Sequence, residues 1–329
     1  MMKKSAIFCG RSKKILEFTS CVLLSSILAS CGLSNTQREA INTFTPAGSG
    51  LGDILSKQFV GARDSVIDLN TCLLTLYPDL IPAQPKLGRR LDRDHLDDAL
   101  TSDRIAEFVK ASDLIKTYSD AINALVSDSQ QAELTDASKE LTAAIRSYDS
   151  NKKLVSDDGL TAIGSAIVAG GTLLIEHKKF MALKEIVPKI DGVITDISTL
   201  ISGELIVNNP DDVLTKKVKG GVFDEVNLTA LKVTAAADNV LDDNKSSPPD
   251  RQIAAECRNK AVKAIDNVGS ISKKLQKSVL DVATAHSKMA TKLTNDSIDI
   301  SDIRSFATKL KDLQPIIKAV SGGGLKVHL

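Results

Sequence analysis

Apolar residues that recur at steps of three and four restrict the chain to helical folds. The longest series runs for about 40 residues, which at 1.5 Å per residue predicts a helix of roughly 60 Å. Its members are Ile253, Cys257, Ala261, Ile265, Val268, Ile271, Leu275, Val279, Val282, His286, Met289 and Leu293. Side chains at this spacing line one face of a helix. A face this long is buried only against other long helices.

Comparable series predict helices along most of the remaining chain. They cover 51–76, about 102–125, 130–148, 157–180, 190–205, 223–242 and a last helix after Ser301. Pro188 is expected to kink or break its helix, and Pro210 to open a short one at the tolerated first position. No alternating stretch is long enough to build a sheet. We therefore predict an all-α fold, an elongated bundle of long antiparallel amphipathic helices forming a single domain over residues 51–329.

The first thirty residues have the composition of a secretory leader. Five basic residues precede a short apolar stretch at 18–27, and the small residues Ala29 and Ser30 come just before Cys31. The apolar stretch is shorter than the roughly 20 residues that a transmembrane helix needs. A basic segment, a short apolar run and small residues at a cleavage site are typical of signal peptides.

The stretch Leu28, Ala29, Ser30, Cys31 resembles the lipobox of bacterial lipoproteins. The resemblance implies that residues 1–30 are a signal peptide that is removed. It also implies that the Cys31 sulfur carries diacylglycerol and that the new amino terminus carries a fatty acid such as palmitate. Each buried methylene adds about 0.8 kcal/mol of anchoring. Gly32, where inner-membrane members of the family tend to have Asp, implies the outer membrane. Residues 31–50 contain Gly and Pro and are expected to form a flexible tether.

Two cysteines remain after the leader and Cys31 are set aside. These are Cys72 and Cys257, which are 185 residues apart. Thiols beyond the inner membrane are in an oxidising compartment, so the pair is a candidate disulfide. Closing so long a loop is worth about 4–5 kcal/mol in the chain-entropy description. The alternative is two separate buried thiols.

The charge balance argues against two classes of partner. The leader holds five of the 42 basic residues and one of the 41 acidic residues, which leaves 37 against 40 and a net charge of −3. A nucleic-acid-binding protein has a basic excess, so nucleic acid is not an expected partner. The same balance argues against electrostatic attachment of the chain as a whole to anionic lipid, and the acyl chains are expected to hold it at the membrane.

The sequence contains no recognisable catalytic or metal-binding motif. It lacks HExxH, CxxC, GxSxG and GxxxxGK[ST]. The acidic stretch around His95 lacks the alternating ligands and glycine of a calcium loop, and we expect it to be a solvated face. It comprises Asp92, Asp94, His95, Asp97 and Asp98. His286 lies on the apolar face of the longest helix and is expected to be a core residue. We predict no catalytic residue, no cofactor, no metal and no small-molecule substrate.

Residues 160–175 form the most apolar run after the leader. One interpretation is a central helix buried on all sides. The other is a membrane-inserting element of a helical pore-forming protein. The expected function is a non-enzymatic binding, docking or structural role for an envelope lipoprotein, with the membrane and an envelope protein as partners. Pore formation by residues 160–175 and an envelope enzyme without a recognisable motif are the alternatives.

Overall fold

The structure is a computed structural model that describes residues 35–77, 95–97, 100–127, 129–149, 152–171 and 176–295, with isolated residues between 304 and 315. All regular structure in these ranges is helical, which confirms the predicted all-α bundle. The helices are α1 (Asn35–Leu76), α2 (Ser102–Val126), α3 (Gln131–Asp149), α4 (Asp157–Gly171), α5 (Glu176–Glu204), α6 (Pro210–Leu214), α7 (Val222–Asp242) and α8 (Pro248–Asn295).

Helix starts follow the capping chemistry of the sequence. The Thr101 side chain accepts a hydrogen bond from Arg104 N at the start of α2, and the Asn209 side chain accepts one from Asp211 N at the start of α6. Each cap satisfies a backbone donor that the first turn leaves unpaired. Pro188 lies inside α5, which runs on to Glu204. Of the two outcomes expected at this proline, a kink or a break, the break is wrong, because buried residues on both sides of it keep the helix continuous.

Contacts along α1 give the direction of its neighbours. Near its end, Cys72 is bonded to Cys257 at the start of α8, and near its beginning the Phe44 ring lies 6.1 Å from the His286 ring near the end of α8. The two longest helices are therefore antiparallel. Helix α5 is also antiparallel to α8, since Ser272 Oγ donates to Leu205 O at 2.5 Å while His286 contacts Asp191.

Helix α2 packs antiparallel against α1. The Phe59 and Phe108 rings are 5.2 Å apart, and farther along the pair Thr45 Oγ1 donates to Asn123 Oδ1 at 3.1 Å. One large apolar core fills the space between α1, α2, α5 and α8, and α3, α4 and α7 also contribute side chains to it. Its largest fully buried side chains are aromatic, namely Tyr118, Phe44, Phe59 and Phe223.

The beginning of α1 corrects the predicted tether. Residues 35–50 are helical and contribute Ala40, Ile41 and Phe44 to the core, each at most 1% exposed. These residues extend the three- and four-residue spacing upstream of Leu51, and their burial outweighs the effect of Pro46 and the glycines. The prediction of a flexible tether as far as residue 50 is therefore wrong. Residues 31–34 lie outside the described ranges.

Helix α4 corrects the expectation of a helix buried on all sides. Leu160, Ile163 and Ile167 are buried against its neighbours, whereas Thr161 and Ser165 face solvent. Helix α4 is thus amphipathic and lies at the edge of the bundle, next to α3 and α5. Residues 172–175 lie outside the described part of the chain.

Candidate functional site

The predicted disulfide is present between Cys72 and Cys257. Their Cα atoms are 5.6 Å apart and the residues are 4% and 5% exposed. They belong to a small apolar cluster separate from the main core, together with Leu69, Ala230, Val233 and Ala261. The bond therefore holds the end of α1 and the start of α8 together outside the main core.

A chain of three polar side chains crosses the main core. Tyr118 Oη lies 2.7 Å from His286 Nε2, and His286 Nδ1 lies 2.8 Å from Asp191 Oδ1. Ser287 Oγ also donates to Asp191 Oδ1 at 2.8 Å. Helices α2, α8 and α5 each supply one member of this Tyr118–His286–Asp191 chain. Imidazole and phenol are fully buried, whereas the Asp191 side chain is 33% exposed.

At Asp191, burial and hydrogen bonding shift the pKa in opposite directions. The hydrogen bond with His286 lowers the pKa of Asp191, burial opposes that shift, and Ser287 adds a second lowering contact. Burial raises the pKa of Tyr118 well above its usual value, and the Asp191 charge acts in the same direction. The carboxylate is therefore ionised and the phenol neutral over the ordinary pH range.

A carboxylate, an imidazole and a phenol in a row can share protons, as catalytic triads do. Here both imidazole nitrogens already have protein partners, and the Phe44 ring lies 6.1 Å from the imidazole. The arrangement therefore joins three helices in the core. The expectation that His286 is a satisfied core residue is confirmed.

Tyr118 and Asp191 were not identified from the sequence. They lie 168 and 95 residues from His286 along the chain. Tyr118 occupies an ordinary apolar-stripe position, and Asp191 is one of many acidic residues. The usable signal was a histidine on an apolar face, because a buried imidazole needs two polar partners.

A second polar cluster lies nearer the surface, between α3 and α5. Tyr148 Oη donates to Asp196 Oδ2 at 2.6 Å, and Lys152 Nζ donates to the same carboxylate oxygen at 2.7 Å. Burial raises the pKa of Tyr148 to about 12, and the hydrogen bond to Asp196 adds to the shift. Burial alone would raise the pKa of Asp196, but hydrogen bonds from Lys152 and Tyr148 lower it. These contacts hold the end of α3 on α5.

One small cleft lies where α1, α7 and α8 meet, and its cavity volume is about 10 Å³. Its walls are mostly apolar and come from Gln58, Ala62, Ser65, Phe223, Val226, Ala264 and Val268. Neither polar cluster lines it.

Among the described residues, no group of three or more His, Cys, Asp or Glu is placed to hold a metal ion. In the same part of the chain, no helix combines the length and apolarity needed to cross a bilayer.

The remaining predicted site residues divide into two sets. Cys31 and the leader lie outside the described ranges, as do Asp92, Asp94 and Asp98. Asp97 is described and accepts a hydrogen bond from Arg63 Nη2 at 3.1 Å, which ties the connector after α1 back to that helix.

No protein-family model, curated protein or solved structure matches the chain.

Proposed function

We propose that this protein is a lipid-anchored component of the bacterial cell envelope with a non-enzymatic docking or structural role. Cys31 carries the acyl chains, the bundle lies outside the inner membrane, and its surface binds another envelope protein. The outer membrane is the proposed location, because Gly32 follows the acylated cysteine.

The observation that carries this proposal is the disulfide between Cys72 and Cys257. Thiols in the bacterial cytosol are kept reduced, and stable structural disulfides are found chiefly in secreted and envelope proteins. The two cysteines are 185 residues apart in the chain. A covalent bond between them favours the same compartment as the lipobox does, and the two arguments rest on different residues.

The shape of the surface favours docking over chemistry. The two polar clusters join helices, and the cleft between α1, α7 and α8 is lined mainly by apolar groups and contains no titratable side chain. Long helices carry charged side chains along their outer faces, and such faces suit contact with another protein along their length.

Mass spectrometry of the native protein tests the anchor. We expect the mature chain to begin at Cys31 with the mass of three acyl chains, and we expect it in the membrane fraction. Cys31→Ser should be uncleaved or soluble. Cys72→Ser is the matched control, because it makes the same substitution at a cysteine of the disulfide, away from the lipobox, and should leave acylation unchanged. An intact Met1 with an unmodified Cys31 peptide contradicts the proposal.

Cross-linking in intact cells tests the docking role. We expect one reproducible envelope protein to be trapped with the wild-type chain and lost with Cys31→Ser. A vesicle assay tests the pore-forming alternative. Dye release by the unlipidated wild-type bundle, abolished in Ile167→Asp, would favour that alternative instead. Because Ile167 is fully buried, circular dichroism must first show that the variant is folded.

A further inference from the structure

The position of the first helical residue limits how far the bundle can stand from a bilayer. Helix α1 begins at Asn35, four residues after Cys31. A chain extends by at most 3.3–3.6 Å per residue, so these four steps span no more than about 14 Å. If Cys31 carries the lipid, the start of α1 lies at the membrane surface whatever the conformation of residues 32–34.

The packing shows which other elements share that end of the bundle. Helix α8 runs antiparallel to α1, so its last turns lie beside the first turns of α1. Lys179 Nζ donates to Val126 O at 3.3 Å, which places the start of α5 against the end of α2. The end of α4 lies there too, since Gly170 packs against Leu125 and Ala182, and the start of α3 contacts the end of α4. We call this the entry end, formed by the starts of α1, α3 and α5 and the ends of α2, α4 and α8.

The start of α5 presents a cationic and an apolar group on one side. Lys178 is exposed, and Met181 is 51% exposed one turn later. Residues three apart on a helix lie on the same face. A lysine beside an apolar side chain suits a bilayer surface, because the ammonium reaches phosphate while the apolar chain enters the interface. Two acids at the entry end are paired, Glu39 with Arg304 and Glu185 with Lys189.

We propose that the entry end rests on the bilayer, with Met181 in the interface and Lys178 at the phosphates of the lipid headgroups. The proposal rests on the lipid anchor at Cys31 and adds the orientation of the bundle. The long helices stand up from the membrane, and the disulfide lies at the distal end. Helix α1 rises by about 55 Å over the 37 steps between Asn35 and Cys72, at 1.5 Å per residue.

Fluorescence quenching in vesicles tests the orientation. The acylated full-length protein is labelled at Met181→Cys or, as the distal control, at Asn244→Cys in the exposed loop between α7 and α8. The native cysteines do not react, since Cys31 is acylated and the others are bonded. Vesicles contain a lipid with a nitroxide on its headgroup. We expect the label at 181 to lose most of its fluorescence and the label at 244 to keep it.

Three results overturn the proposal. Quenching at 244 but not at 181 means the opposite orientation, and equal quenching at both means a bundle lying flat. No quenching at either position, in protein that floats with the vesicles, means that the bundle stands away. A mass spectrum without acyl chains overturns the anchor as well, and this measurement separates failure of the anchor from failure of the orientation.

The lysine has its own matched pair of variants. Lys178→Glu should reduce quenching at 181 in vesicles containing anionic lipid, because the new carboxylate is repelled by phosphate. Lys245→Glu makes the same charge change in the exposed loop at the distal end and should have no effect. Equal effects of the two variants would show that net charge, and not contact at Lys178, determines the result.

Discussion

At the scale of single residues, two buried carboxylates join separate parts of the bundle. Asp224 is 1% exposed and accepts hydrogen bonds from Asn208 N at 2.7 Å and Gly221 N at 3.0 Å. Glu204 accepts one from Val222 N at 3.0 Å and pairs with Arg104. These carboxylates satisfy backbone donors near the start of α7, where an unpaired buried donor would cost about 1–3 kcal/mol. Their role is to hold helix ends in register.

The Tyr118–His286 contact gives a test by double-mutant cycle. Tyr118→Phe and His286→Leu each leave one buried partner unsatisfied, so we expect each to lower the free energy of unfolding by about 1–3 kcal/mol. The double variant should lose less than the sum of the two, because it leaves no orphan along this contact. Urea denaturation followed by circular dichroism measures all four proteins. Strict additivity would show that the two side chains act independently.

The lowered pKa of Asp191 predicts the acid side of the stability profile. Because the pKa of Asp191 in the folded protein lies below that of an ordinary aspartate, the unfolded chain takes up this proton first as the pH falls. The stability that this shift contributes is fully present above the pKa of Asp191 in the unfolded chain. It is lost as the pH falls through the pKa of Asp191 in the folded protein. Asp191→Asn should therefore reduce the loss of stability between about pH 5 and pH 3. Urea midpoints of the wild type and the variant across this range measure the effect. The same loss of stability on acidification in both proteins would contradict the lowered pKa of Asp191.

At the scale of helices, two glycines of α1 one half-turn apart have opposite environments. A Cβ at Gly52 would lie 2.7 Å from Ser112 O and 2.8 Å from Lys116 Cβ, whereas a Cβ at Gly50 would meet nothing within 4 Å. Gly52 therefore allows α1 and α2 to approach closely, and nothing in the packing requires a glycine at position 50.

Alanine at each of these positions separates packing from helix propensity. Gly50→Ala should stabilise the fold by up to about 1 kcal/mol, because alanine restricts the unfolded chain and favours the helix. Gly52→Ala should destabilise the fold despite the same gain in helix propensity, because the backbone of α2 at Ser112 must move away from the new methyl group. Thermal unfolding of the two variants side by side gives the comparison. Equal shifts in Tm would mean that α1 and α2 adjust to the extra methyl group at no cost.

Helix boundaries show which local signals can be trusted. The starts near Ser102 and Pro210 were predictable because capping residues and spacing agree there. The helix over 35–50 and the continuity of α5 at Pro188 could not be predicted, because Gly and Pro argue against a helix locally, while tertiary burial of Phe44 and Ile190 favours one. The amphipathic character of α4 was missed because its solvent-facing positions carry small side chains such as Ala169. Composition alone cannot separate such a face from a buried one.

At the scale of the whole molecule, the disulfide is the feature that sequence reasoning located best. If residues 1–30 are a signal peptide and Cys31 is acylated, only Cys72 and Cys257 are left, and there is one possible pairing within the chain. The Tyr118–His286–Asp191 chain was beyond reach, because it depends on the register of three helices that are distant in sequence. Local spacing specifies which face a residue occupies, and it does not specify the level at which two helices meet.

Loss of the disulfide should lower the stability of the whole bundle. The bond closes a loop of 185 residues, and the chain-entropy description assigns such a loop about 5 kcal/mol. The variant Cys72→Ala/Cys257→Ala should unfold at a lower urea concentration. Non-reducing gels of the wild type should show a change in mobility on reduction that is absent in this variant. An unchanged urea midpoint would mean that the bond restricts the unfolded chain far less than its loop length implies.

The same bond sets how the bundle responds to mechanical load. A pull on Asn35 acts along the axis of α1, in shear against the antiparallel α2 and α8, so side-chain contacts along the helix resist it together. If α1 begins to slide, the strain reaches Cys72 and passes covalently into Cys257 and α8. Extraction of the first helix stops at that link. A force applied to the amino-terminal end of this bundle is therefore carried by α1 and α8 together and not by α1 alone.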